Sequence, residues 1–230
     1  SKILVARNIP GIILHGFGQS SDLQGMDWDQ FAVVEMKNYI MGQRFHRVAV
    51  NAYQGFYMMI CKAFALGYKR VGVATSRQYD RRFEHGVLFP VAFAKDRLRA
   101  GQSLESLVLA SHSRREEKTI QDWLRQKRPE IVIGVDLIWN AIEAMGWQIP
   151  GDVAFINVDR RDSFPHTAGF NQRIEVQIEK AVDLLVAQIN ANHRGVPKEP
   201  ILQLVDGCWE DGASAPPAAE RHRPRPVTAV

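Results

Sequence analysis

Short runs of branched apolar residues alternate along the chain with segments in which apolar residues recur every three to four positions. The runs predict strands and the 3.6-residue recurrences predict helices. Alternation of the two predicts βαβ units, so the expected fold class is α/β with parallel sheet flanked by helices on both faces. Strands are expected over Gly11–Leu14, Phe31–Glu35, Arg47–Val50, Arg70–Thr75, Ser106–Ala110, Glu130–Val135, Val153–Val158 and Ile201–Val205. Helices are expected over Asn51–Leu66, Phe83–Arg99, Arg114–Lys127 and Leu137–Met145, and along an apolar stripe from Ile174 to Ile189.

The composition narrows the protein class. The 230 residues are 46% hydrophobic and 23% charged, which is typical of a globular protein and excludes a disordered chain, a collagen or a coiled coil. No apolar run approaches the roughly 20 residues of a membrane-spanning helix. The net charge of +4 is too mild to indicate nucleic-acid binding by itself. Ala213–Val230 is rich in proline and poor in large apolar residues, which predicts a disordered tail.

Cysteine and histidine usage gives no sign of a metal site. The two cysteines, Cys61 and Cys208, are too few for a disulfide framework and lack metal-ligand spacing, which suits a reducing cytoplasm. The seven histidines show no His-x-x-x-His or His-Glu-x-x-His spacing. We therefore expect no metal and no cofactor.

One segment has the pattern of a catalytic loop. Ile12-Ile13-Leu14 followed by His15-Gly16-Phe17-Gly18 resembles the oxyanion loop of an α/β-hydrolase. That fold also requires a Gly-x-Ser-x-Gly nucleophile turn, which the chain lacks. Ser111 and His112 are adjacent on a predicted strand and would point to opposite faces, so they predict no nucleophile–base pair. A hydrolase is therefore a remote alternative.

Polar residues follow several predicted strands at their carboxyl ends, where open α/β sheets bind ligands. Asp136 follows Glu130–Val135 and precedes a helix, so it is either a helix N-cap or a carboxylate that accepts hydrogen bonds from a ligand. The run Arg77–Arg82 is either a solvated charge run or a polar and aromatic gate. Asp159 begins a similar charged run after Val153–Val158.

Several sequence blocks, in this order and spacing, resemble the effector-binding domain of LacI/GalR-family regulators. Gly146–Asp159 is similar to the family's Gly-x-x-Ile-Pro-x-Asp segment and the strand after it, and Phe64–Val73 to its Leu-Gly-His-Arg-Arg-Ile-Gly segment. The other matching blocks are Val50–Gly55, Gly134–Asp136, Ala181–Leu185 and Val205–Trp209. Asn51 and Arg160 differ from the family, which has Asp at both positions.

The resemblance implies a two-lobed, periplasmic-binding-protein-like fold that lacks its first βα unit. The expected lobes are 1–50 plus 159–200 and 51–158 plus 201–212, with a small molecule held between them. The resemblance and the strand-end positions together give the candidate effector-binding residues, which are His15, Tyr53, Arg81, Arg82, Ser111, Asp136 and Asp159. Whether Arg81 or Arg82 faces the ligand stays open.

The sequence thus favours the effector-sensing and dimerisation domain of a cytoplasmic LacI-type transcriptional regulator, without enzymatic activity. The implied partners are a carbohydrate effector, a second copy of the chain as a homodimer, and DNA bound only through a missing N-terminal domain, with no membrane partner. The alternative is the sugar-binding protein of an ABC transporter, which shares the fold.

Overall fold

The computed structural model describes residues 2–15, 23, 25–36, 44–160 and 166–221. The chain forms two compact units, each built from separate stretches of sequence. The first unit comprises Ser1–Asn51, Arg82–Glu84 and Arg173–Gly207, and the second comprises Ala52–Arg81, His85–Gln172 and Cys208–Val230.

The elements alternate in the way that the hydrophobic pattern predicts. In chain order they are α1 (Lys2–Ala6), β1 (Gly11–His15), β2 (Ala32–Met36), β3 (His46–Val50), α2 (Ala52–Ala65), β4 (Arg70–Ser76), α3 (Arg77–Arg82), α4 (Leu88–Lys95), β5 (Ser103–Leu109), α5 (Glu117–Lys127), β6 (Ile131–Gly134), α6 (Asp136–Ala144), β7 (Ala154–Asn157), β8 (Ala168–Asn171), α7 (Ile174–Asn190), β9 (Leu202–Val205) and β10 (Cys208–Glu210).

The first unit contains a four-stranded parallel sheet in the order β1-β2-β3-β9. Helix α7 packs on this sheet through a face that includes Gln177, Ala181 and Gln188, all of them buried. The predicted apolar stripe of α7 lies only partly on that face, because Ile178 and Val182 are 47% and 43% exposed. Three- to four-residue spacing finds the helix but does not fix its rotation, since two neighbouring stripes on α7 both contain apolar residues.

The second unit contains a six-stranded sheet in the order β10-β8-β7-β6-β4-β5. Only β10 is antiparallel, to β8, and the other pairings are parallel. Strands β6 and β7 are buried along their whole length, as expected for a central parallel strand with both faces covered. Helices α5 and α6 contribute to a core with β6 and β7 that includes Ile120, Leu124, Val132, Ile138 and Phe155.

Each predicted strand is present, with ends that differ by at most three residues from the prediction. The predicted helix over Phe83–Arg99 is wrong, because the structure has α3, a loop and then the shorter α4. Glu84 and His85 in the loop have φ angles of 50° and 68°, in the left-handed region that interrupts a helix. The pattern missed β8 and β10, which are only four and three residues long.

The observed units correct two of the three predicted crossings between lobes. The first crossing is at Asn51, next to the predicted position. The second follows Gln172 instead of Val158, because β8 continues the sheet of the second unit. The third follows Gly207 instead of residue 200, because β9 pairs with β3 in the first unit.

The predicted disordered tail is wrong for residues 213–221, which pack on the second unit. The buried Ser214 hydroxyl donates to the Phe155 carbonyl at 2.7 Å and accepts from the Ala168 amide at 2.8 Å. Tyr68 donates to the Pro216 carbonyl at 2.6 Å. Composition missed this segment because hydrogen bonds to a hydroxyl and to carbonyls, rather than large apolar side chains, hold it in place. The rest of the predicted tail, 222–230, lies outside the described residues.

Across the residues that the structure describes, no helix is both long enough and apolar enough to cross a lipid bilayer.

Candidate functional site

A cavity lies at the carboxyl edge of the six-stranded sheet in the second unit. Four neighbouring parallel strands, β5, β4, β6 and β7, end at this edge. The cavity is small, with an accessible volume of about 10 Å³, which is room for about one water molecule. Its lining includes residues that end or directly follow these strands, together with aromatic side chains: Thr75, Ser76, Tyr79, His112, Val135 and Val158. This is the edge at which open α/β sheets bind ligands.

One hydroxyl in the cavity wall has no partner. Thr75 is 5% exposed, and its Oγ1 forms no hydrogen bond with the described residues. Burying a hydroxyl without a partner costs about 1–3 kcal/mol, so such groups are uncommon unless a water or ligand supplies the missing hydrogen bond. The adjoining space of about 10 Å³ has room for one water molecule to supply the missing hydrogen bond.

A chain of polar groups runs beside the cavity, between the ends of β6 and β7. Asn157 is 2% exposed, and its Nδ2 donates to Asp136 Oδ1 at 3.0 Å. The Asp159 amide donates to the Asn157 side-chain oxygen at 2.9 Å. Asn157 therefore holds Asp136 and Asp159 in fixed positions. The second oxygen of Asp136, which is an exposed residue, accepts no hydrogen bond from the described residues.

The N-cap interpretation of Asp136 is wrong. The N-cap position of α6 is occupied by Val135, which makes Asp136 the first residue of the helix. No side-chain cap hydrogen bond is formed at this helix start. Asp136 lies in the first turn of α6, where a carboxylate interacts favourably with the helix dipole.

Aromatic rings form another part of the cavity wall. The rings of Tyr79 and His112 stack with 6.3 Å between centroids and 21° between planes. The Tyr79 amide donates to Ser76 Oγ at 3.1 Å, which fixes the start of α3 against the end of β4. An aromatic surface beside oriented polar groups is typical of pockets for small polar molecules.

A buried carboxylate holds the segment that carries the two candidate arginines. Asp80 is 3% exposed and accepts hydrogen bonds from the amides of Val87 and Leu88 at 3.3 and 3.0 Å. Its other oxygen lies 2.8 Å from His85 Nδ1. Arg81, next in sequence, is exposed and forms no ion pair with the described residues.

The remaining predicted residues lie in different places. Tyr53 is in the first turn of α2 and is 44% exposed. Ser111 Oγ is bonded to Ser113 Oγ at 3.0 Å and to Glu116 Oε1 at 3.2 Å. His15 ends β1 in the first unit, and Arg82 is grouped with that unit as well. The second unit thus holds Asp136, Asp159, Ser111, Tyr53 and Arg81.

Sequence reasoning missed Asn157 and Thr75 as site residues, and it included Tyr79 only as part of the run Arg77–Arg82. Asn157 had a usable signal, since it is the one amide in the otherwise apolar block Val153–Val158. A buried amide at the end of a strand needs partners, and here these are the two aspartates. Thr75 gave no such signal, because threonine is common in strands.

The structure tests two features that would accompany hydrolysis or metal binding, a serine paired with a histidine and a cluster of metal ligands. The hydrogen bonds of Ser111 go to Ser113 and Glu116 rather than to a histidine. No group of three or more His, Cys, Asp or Glu side chains in this part of the chain is placed to hold a metal ion. Gly16–Gly18, which follow His15 in the oxyanion-like loop, lie outside the described residues.

Comparison with solved structures finds the same fold in bacterial regulators. A LacI transcriptional regulator from a Rhodococcus species superposes with a TM-score of 0.71 at 16% identity, covering 94% of this chain and 82% of that chain. A LacI family regulator from Enterococcus faecium with bound ribose gives 0.68 at 16% identity, with coverage of 94% and 82%.

A third structure of this fold is a periplasmic binding protein/LacI transcriptional regulator from Alkaliphilus metalliredigens QYMF, complexed with D-xylulofuranose. Its TM-score is 0.66 at 17% identity, covering 93% of this chain and 80% of that chain. No family profile matches the sequence, and no curated protein matches it. The chain therefore has the periplasmic-binding-protein-like fold of LacI-type regulators, as the sequence blocks predicted.

Proposed function

We propose that this chain is the effector-sensing and dimerisation part of a LacI-type transcriptional regulator and that its effector is a small carbohydrate. The fold of the chain and the sugar ligands of two structures that share it support this proposal. The proposed role is binding without catalysis. Contact with DNA would come from a separate DNA-binding module, and self-association would match the two-fold symmetry common in such regulators' DNA sites.

The observation that carries the proposal is the unused oxygen of Asp136 beside a cavity with an unpartnered hydroxyl. A sugar presents several hydroxyls that both donate and accept hydrogen bonds. One hydroxyl donates to Asp136 Oδ2, and another pairs with Thr75 Oγ1. The stacked rings of Tyr79 and His112 offer an apolar face for the C–H groups of the sugar.

The ligands of two structures with this fold favour a small sugar. The cavity in the second unit has room for only about one water molecule, so a sugar would bind at its mouth, along the strand ends. Ribose and D-xylulofuranose, the ligands of the two structures with this fold, are both five-carbon sugars. We therefore propose a pentose-sized effector, with Asp159 and Arg81 as further contacts from the same unit.

Sensing requires that the effector prefer one conformation of the regulator. A ligand shifts a two-state equilibrium only by its difference in affinity for the two states. A ratio of about 100 in that affinity changes the balance by roughly 2.7 kcal/mol, enough to alter occupancy of a DNA site. In this scheme Asp136 binds the effector. The hydrogen bond from Asn157 fixes the orientation of the Asp136 carboxylate, which makes its contact with the effector specific.

The test is calorimetric titration of the chain with D-ribose, D-xylulose and related pentoses. Asp136→Asn keeps the shape of the side chain but removes the charge and one acceptor. Because a hydrogen bond to a charged group contributes about 1.5–3 kcal/mol, we expect about 10- to 100-fold weaker binding. The matched control is Asp122→Asn, an exposed aspartate on α5 that pairs with Arg125, and it should bind as the wild type does.

Two results would contradict the proposal. One is that the chain binds no pentose, and the other is that Asp136→Asn binds the sugar with unchanged affinity. Sugar binding alone also suits a transporter's sugar-binding protein, so a second measurement is needed. In the full-length regulator, the same sugar should change the affinity for DNA. Asp136→Asn should raise the sugar concentration needed for this change by the same factor by which it weakens sugar binding.

A further inference from the structure

A second cavity lies on the second unit, between α2, α4 and the turn after α4. It has a volume of about 390 Å³, within the usual range for small-molecule sites. It shares no lining residue with the cavity at the sheet edge. The residues that give it its chemistry are Tyr57, Ile60, Cys61, Phe64, Arg97 and Arg99.

One side of this cavity is cationic. Arg97 and Arg99 both line it, and no aspartate or glutamate does. Neither arginine forms an ion pair with the described residues. The Arg97 guanidinium lies 3.6 Å from the centroid of the Phe93 ring, and its Nη1 donates to the Phe93 carbonyl at 3.3 Å. This guanidinium is therefore held in place while most of its N–H donors stay available.

The other side of the cavity is apolar and aromatic. Ile60 and Phe64 line it from α2, one helical turn apart. Tyr57 packs edge-on against Phe93 with 5.5 Å between ring centroids. A hydrogen bond with Cys61 raises the pKa of Tyr57, so this hydroxyl stays protonated near neutral pH. Neutral aromatic side chains and two guanidinium groups therefore line the same cavity.

We propose that this cavity is a binding site for a small organic anion, with a ring or other apolar body against Tyr57 and Phe64 and its anionic group on Arg97 and Arg99. Two unpaired guanidiniums with no competing carboxylate favour a phosphate or carboxylate group, which arginine binds in bidentate fashion. The apolar wall excludes inorganic ions as the preferred ligand. The site is separate from the proposed sugar site, and it stands whether or not the chain binds sugars.

Cys61 provides a reporter for occupancy of this site. Cys61 lines the cavity, and both Cys61 and Cys208 are exposed free thiols. The experiment alkylates the wild-type chain with the neutral reagent iodoacetamide and measures the rate at each cysteine by peptide mass spectrometry. Phenyl phosphate and benzoate are the anionic probes, and benzyl alcohol is the neutral analogue. We expect a saturable, at least about threefold slowing at Cys61 and an unchanged rate at Cys208.

Substitutions then test the two arginines. Arg99→Gln and Arg97→Gln should each weaken the probe's protection of Cys61 by about tenfold in probe concentration, the change expected for losing one charge-assisted contact of roughly 1.4 kcal/mol. Arg125→Gln, an exposed arginine on α5 outside the cavity, is the matched control and should leave protection unchanged. Circular dichroism of each variant verifies folding.

The outcomes separate cleanly. Tighter protection by phenyl phosphate identifies a phosphate-bearing ligand, and tighter protection by benzoate identifies a carboxylate, and either supports the site. Three results would overturn it. These are no protection by either anion, equal protection by benzyl alcohol, and glutamine variants that bind both anions as well as the wild type does.

Discussion

The two sheets of the protein are covered to different degrees in the part of the chain that the structure describes. In the second unit, β6 and β7 are buried throughout, and helices pack on them. In the first unit, β2 is buried throughout as well, but the edge strand β9 leaves Leu202 and Leu204 36% and 48% exposed. Helix α7 likewise exposes a line of apolar residues spaced four apart, which are Ile174, Ile178, Val182 and Val186. Hydrophobic stabilisation scales with the area removed from water, so these exposed side chains contribute less to it than the buried ones of β2, β6 and β7.

One glutamate in each unit shows how differently the two units supply hydrogen-bond partners to a carboxylate. Glu130, in the second unit, accepts hydrogen bonds from the amides of Lys69 and Arg70 at 2.6 and 3.0 Å and pairs with the Arg70 side chain. Burial opposes ionisation of Glu130, but these donors and the positive charge of Arg70 outweigh it and lower its pKa. Glu35, in the first unit, is 2% exposed, and its Oε1 has no hydrogen-bond partner among the described residues. Burial raises the pKa of Glu35 to about 7, against the opposing effect of Arg47.

The largest expected effect comes from a matched pair of glycine substitutions. A Cβ at Gly169 would lie 2.2 Å from the Asn157 carbonyl oxygen, which is backbone of a buried strand and cannot yield. A Cβ at Gly11 would meet the flexible ends of Leu185 and Ile189 at 2.9 and 3.0 Å. We expect Gly169→Ala to cost about 4 kcal/mol or more and Gly11→Ala about 1 kcal/mol or less.

Urea denaturation followed by circular dichroism measures both substitutions, and hydrogen–deuterium exchange locates the loss within the chain. In Gly169→Ala the faster exchange should lie in β7 and β8. Equal losses of unfolding free energy in the two variants would show that the two sheets are equally tightly packed, which would contradict the difference between the units.

An intermediate effect is expected from shortening one isoleucine in each unit. Ile120 on α5 is fully buried, so Ile120→Ala removes packed methylene groups and leaves a cavity, at a cost of about 3 kcal/mol. Ile178 on α7 is 47% exposed, so Ile178→Ala should change the free energy of unfolding by less than about 1 kcal/mol. Chemical denaturation of both variants gives the two losses of unfolding free energy and their ratio. A large loss for Ile178→Ala would mean that its exposed face is covered in solution.

The most gradual effect, spread over more than two pH units, is a dependence of stability on pH that arises from Glu35. Its pKa is about 7 in the folded protein against an ordinary value of 4.5, so between these values the folded state binds more protons than the unfolded state. Stability from this group is therefore fully present below pH 4.5 and is lost as the pH rises through 7, by about 3 kcal/mol in total.

Glu35→Gln carries a permanent neutral group and should remove this part of the pH dependence. The free energy of unfolding measured at several pH values between 4.5 and 8 gives the slope for both proteins. Glu130→Gln is the counterpart in the second unit, and it should lower stability at pH 7 because the lowered pKa of Glu130 reflects a stabilising charge. An unchanged slope in Glu35→Gln would exclude Glu35 as the source.

The periodicity of the sequence predicted the strands well because a buried parallel strand needs an uninterrupted apolar run. It failed over 83–99, where the buried Asp80 binds the amides of Val87 and Leu88 and ends one helix before another begins. A carboxylate that accepts hydrogen bonds from backbone amides seven and eight residues later does not change the hydrophobic periodicity of the sequence. The pairing of β8 with β7 was also invisible, since strand pairing depends on residues distant in sequence.

The candidate site was only partly predictable for the same reason. Position after a strand was enough to single out Asp136 and Asp159. The contact that fixes both, through Asn157, depends on β6 and β7 being neighbours in the sheet. Thr75 became a candidate only because its hydroxyl lacks a partner, which no sequence pattern reports.

The packed segment 213–221 has a consequence for synthesis on the ribosome. Ser214 bridges Phe155 and Ala168, and Arg221 donates to the Glu130 carbonyl at 2.8 Å. The second unit therefore cannot complete its native hydrogen bonds until residue 221 has left the exit tunnel. At about 5–20 residues per second, some 3–13 seconds pass between synthesis of β7 and of that residue. During this interval the carbonyls of Phe155 and Glu130 and the amide of Ala168 lack the partners that this segment supplies.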